Sequence, residues 1–307
     1  MNNQGYFPMN KRSYILLIKI YLSIILLTTG CATSRSLVYK LLPDNDWPKK
    51  RIMVMNANDL SGIGFNNSTD LVSEELTDIL KEMGSFNIFR HNSEKPVLFE
   101  SGKPIDSKLI IEASEMGIHA ILFETINPIE RIPAKSGIWP FRMKAQKYIV
   151  SMNIDLVDVS KGTILLSKEI TEDIKLPYEE FDEYTEKSLD KETKQEAFEE
   201  CLPSILEKSA MIISHTINRE VWTGKIVSVD RAGITINAGK DVGLRPGIIF
   251  EVFGQGESIT SCNRQNYYLP GPKVGEIKII DIKSHYAHTK PIQGNAFEPG
   301  QIIRIRD

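Results

Sequence analysis

From residue 51 onward, apolar residues fall in short runs whose period changes. Arg51-Ile52-Met53-Val54-Met55-Asn56 is nearly continuous, the pattern of a strand covered on both faces. A turn-rich stretch follows (Asp59, Ser61, Gly62, Gly64, Asn66, Asn67). Val72, Leu76, Ile79, Leu80 and Met83 then recur at helical spacing. Ser68 or Thr69 can cap that helix, Asp70, Glu74 and Glu75 suit its positive end, and Gly84 stops it. Phe86 to Phe89 reads as a second strand, completing a strand-helix-strand unit. Lys108 to Met116 predicts a shorter helix ended by Gly117, and His119 to Ile126 another apolar strand.

Pro128 to Gln146 shows neither period and reads as a loop, with Trp139 and Phe141 set among Arg131, Lys135, Arg142 and Lys144. Exposed aromatics among cations are candidates for contact with a partner or with lipid headgroups; a loop folded back over Trp139 is the structural alternative. Tyr148, Val150, Met152, Ile154 and Leu156 then alternate with mostly polar neighbours, the clearest strand in the chain. Ser160-Lys161-Gly162 turns it, and Thr163 to Ile170 returns as its hairpin partner. Residues 172–200 are strongly acidic and predict a solvated helix or excursion. Pro203 is placed to begin a helix, whose stripe Ile205, Leu206, Ser209, Ile212, Ile213, Thr216 and Ile217 should pack on the sheet.

The pattern changes near residue 220. Gly224 to Asp230, Ile234 to Asn237, Ile248 to Phe253, Val274 to Lys283 and Gln301 to Ile305 read as short strands between glycine turns, with Gly254 to Lys273 as an insertion. That is the signature of a small antiparallel barrel. The expected fold is therefore an α/β sheet-and-helix domain over residues 51–220, followed by a small all-β, barrel-like domain over residues 221–307.

Ahead of both lies a basic patch (Lys11, Arg12), an apolar run from Tyr14 to Leu27 interrupted by Lys19, and Thr28-Thr29-Gly30-Cys31. This is the layout of an export signal. A cysteine after Gly30 at its end resembles the bacterial lipobox, with Thr28 where an aliphatic residue is usual. The resemblance implies a signal peptide over residues 1–30 and lipid attachment at Cys31. Ala32 in place of aspartate implies the periplasmic face of the outer membrane. Residues 31–50 lack a sustained apolar period and read as a tether.

Three of the 37 basic residues lie in the signal and none of the 40 acidic ones, so the mature chain carries 34 against 40, a formal charge of −6. That balance gives no nucleic-acid footprint. In an oxidising compartment Cys201 and Cys262 can form a disulfide; one buried thiol and one loop thiol is the alternative.

Candidate chemistry is sparse. Gly62-Ile63-Gly64 lacks the third glycine of a dinucleotide fingerprint and the lysine and hydroxyl of a Walker loop. His119 beside an apolar strand reads as packed rather than ligating. His285 and His288, three apart, fall on opposite faces of a strand and do not share a metal. The carboxylates of residues 172–200 lack the spacing of a calcium loop. The sequence thus predicts no catalytic residue, no metal and no cofactor.

Arg51 to Trp222 is similar to the curli secretion channel lipoprotein CsgG and to the TolB amino-terminal domain. The likeness lies in the first strand and helix, Ala120-Ile121-Leu122-Phe123-Glu124, the hairpin from Asn153 through Gly162 to Leu165, and the helix end Ile217-Asn218-Arg219-Glu220-Val221-Trp222. Gly224 to Phe253 resembles the carboxyl-terminal domain of flagellar assembly protein T. These resemblances imply a non-enzymatic outer-membrane lipoprotein, a structural or assembly part of a flagellar basal-body ring or a secretion-system core. Its partners would be the membrane, through the lipid, and subunits of an envelope complex; a homo-oligomeric ring is compatible. A secretion channel is the alternative, and needs spanning strands of about 9–11 residues. The corresponding places, 128–146 and 172–200, do not alternate, and each midplane Lys or Arg on a lipid-facing strand costs about 2–4 kcal/mol. The chain reads as a member with the periplasmic fold and no pore.

Overall fold

The computed structural model describes residues 48–64, 68–91, 99, 103, 105–177, 183–231, 233–261 and 266–306. Strand β1 (Lys50–Val54) lies between two parallel neighbours, β3 (Phe86–Arg90) and β4 (Ala120–Ile126). The two-residue β2 (Asn58–Asp59) adds to the end of β4. Helix α1 (Ser68–Glu82) crosses from β2 to β3, and α2 (Ser107–Glu115) leads from β3 to β4.

Ile52, Met53 and Val54 of β1 form an unbroken apolar run because both faces of the strand are covered. Ile52 and Val54 join Val72, Leu76 and Leu80 of α1 in one core, while Met53 pairs off with Leu109, Ile110 and Ala113 of α2 in another. Asp106 caps α2, its carboxylate accepting from the Lys108 amide at 2.9 Å. Gly117 ends it at φ +71°, and a Cβ there would stand 2.4 Å from the Arg51 guanidinium. No other residue both adopts that angle and leaves that space.

β6 (Met143–Asp158) is the long element of the sheet. One of its edges pairs with β7 (Thr163–Pro177) over nearly its whole length. The other edge pairs with β4 over Met152–Asp158 and with β5 (Glu130–Ser136) over Met143–Ile149, so β5 continues the course of β4 beyond the helix-covered part. The order across the sheet is β3-β1-β4-β6-β7. Helix α3 (Glu183–Arg219) runs back along the α1 face. Pairs of buried residues at Ala197/Phe198, Cys201/Leu202, Ile205/Leu206, then Ala210, Ile213 and Ile217, make one continuous stripe.

Two expectations are corrected here. Residues 128–146 are not a loop: they supply β5 and the start of β6, and because most of their side chains are exposed, no alternation of polarity marks them. Pro203 does not begin the helix but lies inside it. Of the acidic stretch, residues 172–177 end β7, residues 183–200 open α3 and so are helical, and residues 178–182 lie outside the described residues.

After Trp222 comes a closed six-stranded barrel, ordered β10-β11-β12-β9-β8-β13. Its strands are β8 (Thr223–Asp230), β9 (Gly233–Ile236), β10 (Ile249–Thr260), β11 (Asn266–Ile282), β12 (Ala287–Gln293) and β13 (Ile302–Ile305). Strand β12 is not anticipated by the sequence reading. The described residues of the expected insertion at 254–273 instead extend β10 and β11, bent by register shifts between Val252 and Ser258. Phe250, Val252, Ile277, Ile236 and Ile303 fill the barrel over Trp222. Residues Trp47–Asp307 form one compact unit that contains all three apolar cores.

Candidate functional site

Two places concentrate unusual chemistry: the joint between sheet and barrel, and the far end of the β5–β6 hairpin.

The joint is built from β1. Arg51, almost fully buried, donates from Nη1 to the carbonyls of Asn237 (2.7 Å) and Met116 (3.1 Å), and from Nε and Nη2 to Oδ2 of Asp241 (3.2 and 2.6 Å). Asn87 Nδ2 donates to the Asp241 carbonyl at 2.7 Å, and the Lys49 amide to the Val242 carbonyl at 2.8 Å. Lys50 turns the other way, and its ammonium donates to the carbonyls of Ile217 and Glu220. It thereby satisfies the carboxyl end of α3. Burial lowers the Lys50 pKa to about 8, against the opposing pull of Glu220 and Asp158. His119 is buried between these cations and its Nδ1 accepts from the Arg51 amide at 3.0 Å. Its pKa falls to about 3, through burial first and then the charges of Lys50 and Arg51. The imidazole is neutral and packs on Trp222, ring centroids 5.6 Å apart. The packed reading of His119 holds.

A cleft of about 840 Å³ opens beside the joint, between α2 and the barrel, lined by Ile111, Val227 and Leu269 among others. On its wall Lys225 donates to the Ser114 hydroxyl, and burial lowers the lysine pKa. The contact ties α2 to β8.

The hairpin carries the feature that packing does not explain. Its turn is closed by the Phe141 amide donating to the Ile138 carbonyl at 2.7 Å, with a cis Trp139–Pro140 bond between them. Gly137 precedes it at φ +97°, where a Cβ would meet the Phe141 carbonyl oxygen at 2.8 Å. Ile138, Trp139, Phe141 and Met143 are 85, 78, 82 and 72% exposed. No other large apolar side chain among the described residues exceeds 59%. Residues 131–149 hold five cations and no acid. Arg131 meets Asp190 at 3.1 Å and Lys147 meets Asp173 at 3.1 Å, both toward the base. Lys135 and Lys144 stand directly opposite one another, one residue behind the turn.

The residues singled out from sequence are placed as follows. Trp139 and Phe141 come together at this turn, so the folded-back alternative for Trp139 is corrected. Cys201 is a free thiol in the α3 stripe, and Cys31 and Cys262 lie outside the described residues. His288 Nδ1 lies 3.2 Å from the Thr235 hydroxyl, and His285 Nδ1 lies 3.3 Å from Asp241. No group of three or more potential metal ligands is assembled among the described residues, and no described helix is long and apolar enough to cross a membrane. The sequence reading missed Ile138 and Met143 as companions of Trp139. It also missed the Arg51–Asp241 joint, which no local pattern announces.

No family model and no curated protein matches the chain. Among solved structures it is similar to the carboxyl-terminal domain of LpoB from Escherichia coli, at 14% identity over 45% of this chain and 93% of that one, with a TM-score of 0.28. A lipoprotein from Neisseria meningitidis matches at 16% identity over 48% of this chain and 96% of that one, TM-score 0.25. A hypothetical protein from Chlamydia trachomatis matches at 11% identity over 53% and 96%, TM-score 0.32. Likenesses this weak leave the functional reading to rest on the chain's own geometry.

Proposed function

We propose that the chain is a non-enzymatic lipoprotein of the bacterial outer membrane, held at the periplasmic face by Cys31, and an assembly part of an envelope machine such as a flagellar basal-body ring or a secretion-system core. The observation that carries this reading is the exposed apolar turn at Ile138–Phe141. It stands on a body whose buried ionisable groups at the joint are engaged in holding two domains together. The finer affiliation belongs to the same proposal: a sheet domain of CsgG and TolB amino-terminal type, then a barrel like the carboxyl-terminal domain of flagellar assembly protein T. A sheet covered by helices on both faces and a closed barrel after Trp222 support it.

The channel alternative is less well supported. β5 pairs with β6 over seven residues on each strand, where a span takes about 9–11, and the Lys135–Lys144 pair lies within that stretch.

A mild-detergent pull-down of the tagged, lipidated protein, read by mass spectrometry, tests the proposal. Flagellar ring or secretion-core subunits are the expected companions. Recovery of the protein alone as a large homo-oligomer that conducts in planar bilayers would replace the reading with the channel. The non-enzymatic part is tested at the Ser114–Lys225 contact. Labelling of Ser114 by a fluorophosphonate, lost in Lys225→Met, would overturn it.

A further inference from the structure

We infer that the β5–β6 hairpin is a bilayer-docking element, and that its ligand is the surface of an anionic phospholipid membrane. The inference deepens the envelope reading above and rests on it for the protein's location.

The groups are arranged in layers. At the extremity, Ile138, Trp139, Phe141 and Met143 present the most exposed large apolar surface described. Arg142 lies within that turn, between Phe141 and Met143, and Lys135 lies just before Ser136, the partner of Met143; both are exposed. Each residue along a strand advances about 3.3 Å, so Lys135 sits one step behind the Ser136–Met143 pair. Apolar groups inserted about 5–10 Å into a bilayer would bring such cations to the phosphates. Trp belongs at that boundary, and Lys and Arg stems can extend toward the headgroups.

Lys135 stands opposite Lys144 in the strand register, so both strands carry a cation at the step behind the Ser136–Met143 pair. Toward the base of the hairpin, Arg131 and Lys147 meet Asp190 and Asp173.

A protein with an acidic patch would also attract these cations. Protein hot spots, however, are typically enclosed by a rim that excludes water. Among the described residues nothing rims the turn, whose four large apolar side chains are 72–85% exposed. A lipid surface needs none.

β6 also sets a distance. The turn after its opposite end, Asp158, touches the barrel, where the Tyr268 amide donates to the Lys161 carbonyl at 3.1 Å. Fifteen steps along the strand put that contact roughly 50 Å from the tip. A membrane-docked hairpin therefore stands the barrel off from the lipid.

The test is flotation of the compact unit Trp47–Asp307, which carries no acyl chain, with vesicles of phosphatidylethanolamine and phosphatidylglycerol, and separately with phosphatidylcholine alone. Binding to the anionic vesicles only, weakened by salt, is expected. Trp139→Ala with Phe141→Ala should lower the affinity at least about tenfold. Lys135→Glu with Arg142→Glu should abolish the preference for anionic lipid. All four side chains are exposed, so thermal melts of both double variants should overlay the parent. A parent that does not float, or variants that bind as it does, overturns the proposal. So does a photocrosslink from position 139 to an envelope protein with no vesicle binding, which would assign the tip to a protein. Because the vesicles contain no protein and the unit no lipid, failure here is separate from failure of the Cys31 or pull-down tests.

Discussion

Arg51 and Asp241, 190 positions apart in sequence, meet through two guanidinium nitrogens on one carboxylate oxygen. Both side chains are largely out of water, at 5 and 15% exposure. Removing one member of a buried pair strands the other, which costs about 3–5 kcal/mol. Arg51→Ala should therefore lose stability on that scale in urea unfolding. A change below about 1 kcal/mol would mean that apolar packing around Trp222 alone holds the domains.

Glu124 lies on β4 beneath α1, where its Oε2 accepts from the Ser73 hydroxyl at 2.9 Å. Burial raises its pKa from 4.5 to about 7, against the opposing effects of Ser73 and Arg90. The folded state thus favours the protonated acid. Its contribution is complete below pH 4.5 and is lost as pH rises through about 7, amounting to roughly 3 kcal/mol at about 1.4 kcal/mol per pKa unit. Glu124→Gln should be close to the parent near pH 4 and more stable than it at pH 8. Parallel stability-versus-pH curves would show that Glu124 ionises freely.

His119 acts with the opposite sign. Its folded pKa is lowered from 6.5 to about 3, so its contribution is present above pH 6.5 and lost as pH falls through 3. His119→Gln should flatten the acid limb of the urea midpoint between those values. An NMR titration showing the imidazole charged at pH 5 in the folded protein would refute the assignment.

Burial raises the Cys201 thiol to about 11, with Glu172, Asp173 and Glu200 adding to the shift. Little thiolate is present at neutral pH. A maleimide should label Cys201 slowly in the native protein and rapidly after denaturation without reductant. Absence of labelling in the denatured, unreduced chain would instead indicate the bridge to Cys262.

Legibility followed solvent exposure. β1 and β4 announce themselves because helices cover both of their faces, which leaves an unbroken apolar run. β5 and the start of β6 do not, because most of their side chains meet water, which removes the pressure for alternation. In α3 the paired stripe from Ala197 to Ile217 has helical period, yet Pro203 and the surrounding acids mask it. The apolar character of Trp139 and Phe141 was plain in the sequence. Their convergence with Ile138 and Met143 on one turn depends on the register Ser136 to Met143, which no local signal fixes. Arg51 could not be matched to Asp241 because that contact joins residues 190 positions apart and forms only where the barrel packs on the sheet.

β7 is the outermost strand of the sheet, and no strand pairs with its free side among the described residues. Fifteen residues of open edge would be a template for endless polymerisation. Lys168, Glu169, Glu172, Asp173 and Lys175 guard it, since each charge would have to lose water against a stacked neighbour. Copies of this chain can therefore crowd together without zipping into fibres along this edge. At β7, copies that meet would pack through side-chain surfaces, where stoichiometry is set by shape, rather than by adding strand to strand.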